Sequence, residues 1–185
     1  MFQQLEKRRK ERVILGMLLS LSTLLVGILA ILNPVGGSLG LFYPFLGTLF
    51  LILSLIETLI TFRVFRRQFT LGSKILFQIL LGAIFIFAGE HLDIPTAILL
   101  FVLYLSFFVF AYTILGIELH PLKGWGMSIL IGIIGGGLVG FVVLKALQWE
   151  VAEVLSLALG ITSILEGLLL GYLSLGVYRQ RLCLH

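Results

Sequence analysis

The sequence predicts an all-α membrane protein with six transmembrane helices, arranged as three parallel two-helix repeats. Only 12% of the 185 residues are charged and 59% are hydrophobic, and the mean hydropathy is +1.16. A soluble domain carries about 25% charged residues. The apolar residues also come in long runs, and about 20 such residues cross a hydrocarbon core that is about 30 Å thick.

Six apolar runs mark the predicted helices in order. They cover roughly residues 13–33, 39–62, 73–89, 94–117, 125–147 and 151–176. The first follows the basic segment EKRRKER, which resembles the start of a signal peptide. Its run of about 20 residues is too long for a signal-peptide hydrophobic region, so we expect a retained first helix. The connections are short, and the whole chain, residues 1–185, is predicted to form one transmembrane domain.

The basic residues predict the orientation. Counting along the runs puts twelve of the 13 Lys and Arg residues on one side, including Lys74 between the second and third helices. Only Lys145 falls on the other side, which carries acids instead: Glu90, Asp93, Glu150 and Glu153. Basic loops stay in the cytoplasm, so both termini are predicted to be cytoplasmic. The net charge of +4 suits anionic lipid headgroups and does not indicate nucleic-acid binding.

An internal repeat runs along the chain. A gap-free shift of 113 residues places LVG at 25–27 on LVG at 138–140, LG at 46–47 on LG at 159–160, and VFRRQ at 64–68 on VYRQR at 177–181. The middle helix pair fits at about half that shift, with Gly82 matching Gly27 and Gly140. The predicted units are about 12–68, 69–123 and 124–181. Each holds two spans, so all three have the same orientation.

Three segments carry a family resemblance: LLVGILAILNP (24–34), GWGMSILIGIIGGGLVGFVVL (124–144) and LGITSILEGLLLGYLSLGVYRQ (159–180). Together they resemble the HdeD family of short-repeat, six-helix membrane proteins associated with acid resistance. Trp125 and the pair Glu166-Gly167 match residues that are typical of the family, whereas FAGEHLDIP replaces the Asn-Pro turn in the second unit. The resemblance implies a bacterial inner membrane and a role in acid or stress tolerance, but no established reaction.

The segment GIIGGGLVG (132–140) contains G-x-G-x-x-G, which also occurs in dinucleotide-binding loops. It lies within an apolar run, where a phosphate would have to enter hydrocarbon. The spacing of Gly132, Gly136 and Gly140 favours close helix packing instead, because G-x-x-x-G lets helix backbones approach. We therefore expect the fifth helix to be the central packing helix, with Gly167 and Gly171 of the sixth as its partner face. Oligomerisation through these glycine faces is a further expectation.

Two acids lie within the predicted spans. Glu57 is six residues before Arg63, and Glu166 is thirteen residues before Arg179, which puts Glu166 near the middle of the membrane. A charge at the bilayer centre costs about 2.5–3.5 kcal/mol on insertion scales, so such residues usually face the bundle interior and have a use. One interpretation is a proton-responsive or ion-handling site. The other is a protonated carboxyl that makes one interhelical hydrogen bond.

The segment GEHLDIP brings Glu90, His91 and Asp93 together in a predicted outer loop. Because histidine changes charge near neutral pH, these residues are a candidate pH-sensing cluster or a weak cation site. The alternative is a solvated loop that happens to contain a histidine. No metal site, cofactor site or catalytic constellation is predicted, since the sequence has no HExxH, GxSxG or P-loop motif.

Two functional hypotheses follow. The first is a non-enzymatic protein of the HdeD type, embedded in the lipid bilayer, that modifies the membrane or supports a partner complex; its candidate partners are a second copy or another membrane protein. The second is a transporter or channel-like protein that moves protons or a small solute by means of Glu166 and Glu57. A continuous polar path to Glu166 would favour the second.

Overall fold

The computed structural model is entirely helical. It describes residues 2–33, 39–63, 69–120, 125–145 and 150–179. Within these ranges lie six α-helices, which confirms the predicted helical class, and one 3₁₀ turn at Gly89–His91. The α-helices are α1 (Phe2–Leu32), α2 (Leu39–Arg63), α3 (Phe69–Phe87), α4 (Ile94–Glu118), α5 (Trp125–Lys145) and α6 (Val151–Arg179).

Five of these helices are long and apolar enough to cross a membrane, and α3 contributes a shorter apolar segment, Gly72–Phe87. This helix begins at Phe69, four residues before the predicted start of the third run. Lys74 therefore lies inside a helix and does not belong to the basic flank in which the sequence count placed it. A lysine side chain can be buried among apolar helices when neighbouring groups pair with its charge, and the candidate site below supplies such groups.

The six helices form a closed ring. Each helix contacts the next one along the chain, and α6 contacts α1. The most extensive contacts join α1 to α6, α4 to α5 and α2 to α3, whereas contacts within the three predicted units are smaller. Across the interior, α6 reaches both α2 and α4, and the Phe50 ring of α2 lies edge-on to the Tyr104 ring of α4. The even-numbered helices therefore line the interior.

The two helices run antiparallel in each of the three pairs with the most extensive contacts, α1–α6, α4–α5 and α2–α3. Gly27 of α1 lies beside Gly160 of α6, while Gly16, further toward the start of α1, lies beside Ser174. The ends of the ring can be named accordingly. The basic end is the one where α2 ends at Arg63 and α3 begins at Phe69. The opposite end contains the Gly89–His91 turn.

Two of the extensive interfaces depend on glycine pairs. A Cβ atom on Gly27 would stand 2.9 Å from the carbonyl oxygen of Gly160, and one on Gly47 would stand 2.7 Å from that of Gly82. Backbones can approach this closely only where side chains are absent. The α1–α6 interface also contains an interhelical hydrogen bond, in which Ser20 Oγ donates to the Gly167 carbonyl oxygen over 2.7 Å.

The expected role of α5 as the central packing helix needs correction within this chain. Gly132 packs on α4, where an added Cβ would meet Thr113 at 2.7 Å, but Gly136 and Gly140 are exposed and have no atom within 4 Å of such a Cβ. Four residues turn an α-helix by about 400°, so a spacing of four drifts by about 40° per step. The glycine series therefore rotates away from α4 and onto the outer surface.

The glycines of α6 face a different helix from the expected one. An added Cβ on Gly167 would meet Leu24 of α1 at 2.8 Å, and one on Gly171 would meet Ser20 at 2.9 Å. They therefore pack on α1 rather than on α5. Oligomerisation through the outward-facing Gly136 and Gly140 stays a prediction.

Candidate functional site

The interior of the bundle contains a buried ion cluster where α2, α3 and α6 meet. The Lys74 ammonium on α3 lies 2.8 Å from Glu57 Oε1 on α2 and also donates to Glu166 Oε1 on α6. The side chains of Lys74 and Glu166 are 0% exposed, and that of Glu57 is 8% exposed. One ammonium thus joins two carboxylates from two other helices in a place that water barely reaches.

Two neutral side chains complete the arrangement. Gln78, one turn after Lys74 on α3, donates its Nε2–H to Glu57 Oε1 over 3.2 Å. Tyr112 of α4 donates its hydroxyl to Glu166 Oε1 over 3.1 Å. We call these five residues the Lys74 cluster, and they bring four of the six helices together.

Helical spacing explains how α3 and α4 each supply two groups. Lys74 and Gln78 stand four residues apart, as do Phe108 and Tyr112, and such pairs share one face of a helix. Lys74 Nζ lies 5.3 Å from the centre of the Phe108 ring and 5.2 Å from that of the Tyr112 ring. A cation within about 6 Å of a ring is attracted to its face, so the aromatic pair of α4 helps to hold the ammonium.

The Lys74 cluster lies in the half of the bundle that contains the basic end. Lys74 is five residues into α3 and Glu57 is six residues before the end of α2, which places both about 8–9 Å from that end at 1.5 Å per residue. Glu166 is eight residues before Ser174, where the apolar span of α6 ends, a rise of about 12 Å. Glu166 is the sixteenth of the 29 residues of α6, so it stands near the middle of that helix, as the count from Arg179 indicated.

The cluster contains more acid than base. If every group ionises, Lys74 supplies one positive charge, while Glu57 and Glu166 supply two negative charges. The effective desolvation penalty for a buried ion is several kcal/mol, and a buried group avoids it by changing protonation state or by gaining a counterion. The charges balance when one proton or one monovalent cation accompanies the two carboxylates.

Four buried oxygen atoms in this region have no hydrogen-bond partner among the described residues: Glu57 Oε2, Glu166 Oε2, Gln78 Oε1 and the Tyr104 hydroxyl. Tyr104 stands one turn before Phe108 on α4, with the two ring centres 6.4 Å apart, and the Phe108 ring contacts the Lys74 ammonium, so Tyr104 lies beside the cluster. Buried polar atoms in folded proteins almost always find a partner. These four oxygens therefore indicate that the cluster accommodates a proton, water or a small cation.

Aromatic rings fill the interior between the Lys74 cluster and the opposite end. The Phe50 ring lies 4.9 Å from that of Tyr104 and 6.1 Å from that of Phe85, measured between ring centres. We call these side chains the aromatic layer, each of which is at most 2% exposed: Phe42, Tyr43, Phe50, Phe85, Phe101, Tyr104 and Phe108. Dense ring packing of this kind separates the cluster from the opposite end of the bundle.

The structure joins the two acids that the sequence singled out. Glu57 and Glu166 share one ammonium, although 109 positions separate them in the chain. Sequence reasoning missed Lys74, because its charge was assigned to a flank, and it also missed Gln78 and Tyr112 as partners. A usable signal was present, since Lys74 and Gln78 stand four apart in an apolar segment, and two intramembrane acids require a cation nearby.

The outer-loop candidates lie elsewhere. Glu90 and His91 belong to the 3₁₀ turn, Asp93 precedes α4, and the side chains of all three are exposed. In the part of the chain that the structure describes, no group of three or more His, Cys, Asp or Glu side chains is arranged to hold a metal ion. A pH-sensing role for this loop stays a prediction.

The fold and the site together define an all-helical bundle, suited to a lipid environment, with an ion cluster enclosed among apolar helices. Comparison with protein-family models, curated proteins and solved structures gave no match. The resemblance to the HdeD family therefore stays a prediction, and the geometry of the Lys74 cluster is the basis for a proposed function.

Proposed function

We propose that this protein is a non-enzymatic, multi-pass membrane protein that responds to acid by taking up one proton at the Lys74 cluster. The observation that carries the proposal is one buried ammonium shared by two buried carboxylates from different helices. Neighbouring carboxylates in a shared site titrate as a coupled pair, because both cannot ionise without repulsion. The pair has one matching cation in Lys74, so one carboxylate is left to gain and lose the proton.

The topology we propose has six spans with both termini in the cytoplasm of a bacterial cell. Basic residues precede the first apolar run and lie between α2 and α3, at the same end of the ring, and such segments stay in the cytoplasm. The shorter α3 also crosses the membrane, because Glu57 and Glu166 pair with the charge of Lys74 in its second turn. In this orientation the Lys74 cluster lies on the cytoplasmic side of the aromatic layer. The aromatic layer separates the cluster from the outside, so protons arrive from the cytoplasmic side.

The three-unit repeat is part of the same proposal. The repeat register equates Gly27 with Gly82 and Gly47 with Gly160, and these are the glycines that pair in the α1–α6 and α2–α3 interfaces. Two of the three junctions between neighbouring units in the ring, α2–α3 and α6–α1, thus use equivalent residues. This equivalence supports an origin of the three units from one helical hairpin. The third junction, between α4 and α5, is built differently, because Gly140 faces outward there.

An acid response also fits the resemblance to the HdeD family. Glu166 belongs to the acid–glycine pair on which that resemblance partly rests, and it is the carboxylate that both Lys74 and Tyr112 contact. The neighbouring Gly167 packs on α1. Proton uptake at Glu166 would therefore act where α6 contacts α1, α3 and α4. A small structural change at this point would be transmitted to these three helices.

A proton transporter is the second candidate function. The burial of two acids and a lysine within the bundle favours it, because intramembrane ionisable residues mark ion pathways in transporters. Transport would require the aromatic layer to separate during each cycle, since it lies between the cluster and the opposite end. Proton flux in proteoliposomes distinguishes the two, because an acid-responsive protein binds protons without sustained flux.

Replacing Glu166 with Gln is expected to abolish proton uptake by the cluster. The remaining Lys74 and Glu57 balance each other, so no carboxyl needs to carry a proton. Infrared difference spectroscopy of the purified wild-type protein should show a protonated carboxyl band that changes with pH and corresponds to one proton per chain. This band should be absent in Glu166→Gln.

Glu153→Gln is the matched control, because Glu153 lies on the same helix but is exposed. We expect this variant to keep the titrating band of the wild type. An unchanged band in Glu166→Gln, or the same loss in the control, would contradict proton uptake at the Lys74 cluster.

A further inference from the structure

The four unpartnered oxygens around the Lys74 cluster have the composition of a cation site. They comprise one free oxygen from each of Glu57 and Glu166, the amide oxygen of Gln78 and the hydroxyl of Tyr104, contributed by α2, α6, α3 and α4. We infer that the Lys74 cluster also binds a small monovalent cation of the Na⁺ or Li⁺ type, in competition with the proton. This inference rests on the proposed function, because it concerns the same site.

Charge decides the valence of the ligand. Lys74 leaves the two carboxylates with one unmatched negative charge, which one monovalent cation neutralises. A divalent ion would leave one unmatched positive charge in an interior where charge is costly. The charge of the occupied site is then the same whether it contains a proton or the cation, so the two ligands exclude each other.

The type of donor atom decides the chemical class of the ligand. All four free groups are oxygens, and carboxylate, carbonyl and hydroxyl oxygens suit hard cations, whereas soft metals prefer sulfur or imidazole. Lys74 engages the Oε1 atoms of both carboxylates and leaves both Oε2 atoms to the cation. The residues around the site are almost fully buried, so the four oxygens must replace the water shell of the ion. Protein interiors are closely packed and contain few voids larger than a water molecule, which favours a small ion.

A neutral ligand outside the Lys74 cluster separates this inference from proton uptake. Tyr104→Phe removes one oxygen donor, changes the volume of the aromatic layer very little and makes no change at Glu57, Lys74, Glu166 or Gln78. This variant should keep the titrating carboxyl band, because the charges that require a proton are still present.

Thermal unfolding of the full-length protein in detergent provides the test, with NaCl or LiCl replaced by choline chloride at constant ionic strength. In the wild type we expect Na⁺ to raise the unfolding temperature, and the apparent Na⁺ affinity to fall up to tenfold for each unit of decrease in pH while the proton competes. In Tyr104→Phe the apparent affinity should fall about tenfold or more, since a polar contact with a charge is lost.

The outcomes are distinguishable from those for the proposed function. If choline stabilises the wild type as well as Na⁺ does, or if Tyr104→Phe keeps the wild-type response to Na⁺, the cation site is overturned. A titrating carboxyl band that persists in that case leaves proton uptake intact. If neither the band nor the Na⁺ response is observed, both proposals fail.

Discussion

Replacing Lys74 with Met is expected to destabilise the protein by about 3–5 kcal/mol, the usual loss when one partner of a buried ion pair is removed. Lys74 is fully buried and is the cation that both Glu57 and Glu166 contact. Without it, two carboxylates remain in an apolar interior, and each must take up a proton or draw water inward. Chemical unfolding in detergent, followed by circular dichroism, measures the loss.

Charge balance predicts the order of stability among the variants of the Lys74 cluster. Glu57→Gln leaves Lys74 paired with Glu166, so the cluster is neutral and the loss of stability should be smaller than in Lys74→Met. The triple variant Lys74→Met with Glu57→Gln and Glu166→Gln has no charge to bury. Replacing a buried ion network with neutral residues is often tolerated, so we expect the triple variant to recover part of the stability that the single lysine change removes.

The order of these three variants is the informative result. A triple variant no more stable than Lys74→Met would indicate that packing around the lysine stem, rather than charge, holds α3 in place. A Glu57→Gln variant as unstable as Lys74→Met would contradict the excess of one negative charge, and the argument for an exchangeable proton would fail with it.

Much of the fold could be predicted, because the bilayer imposes length and hydropathy on each helix. The predicted starts of α2, α4, α5 and α6 agree with the structure. The helices α1 and α3 begin eleven and four residues before their predicted runs, because the predicted runs left out the polar first turns, and Lys74 was counted with the basic flank. The rule that assigns basic residues to the cytoplasmic flank counts charges in sequence order. It contains no information about acids on other helices that pair with a basic residue inside the bundle.

The site could be predicted only in part for the same reason. Glu57 and Glu166 were recognisable because an acid inside an apolar run is rare. Their shared partner depends on how α2, α3 and α6 are arranged around the ring.

The glycine spacing had the same limitation. It indicated which helices could pack closely, whereas the crossing geometry decided that Gly167 meets α1 and that a Cβ on Gly136 meets no atom of the described residues within 4 Å.

Substituting Leu for Gly27 is expected to separate α1 from α6 and to cost more than the corresponding change at any outward-facing glycine. The first added carbon would already stand 2.9 Å from the Gly160 carbonyl oxygen and 2.8 Å from Ile164 Cγ1. Overpacking a tight interface costs about 1–3 kcal/mol when neighbours can adjust, but a backbone oxygen can yield only if the helices move apart. The loss of stability should therefore be at the upper end of that range or beyond.

Gly136→Leu is the matched control, because it makes the same change in a transmembrane helix at a position with no atom within 4 Å. We expect this variant to unfold at the wild-type temperature, whereas Gly27→Leu should unfold earlier or fail to accumulate. Size-exclusion chromatography with light scattering separates an effect on assembly from an effect on the fold. If Gly136→Leu lowers the stability of the monomer as much as Gly27→Leu does, close packing is not concentrated at the α1–α6 interface, and the helix arrangement described above is wrong.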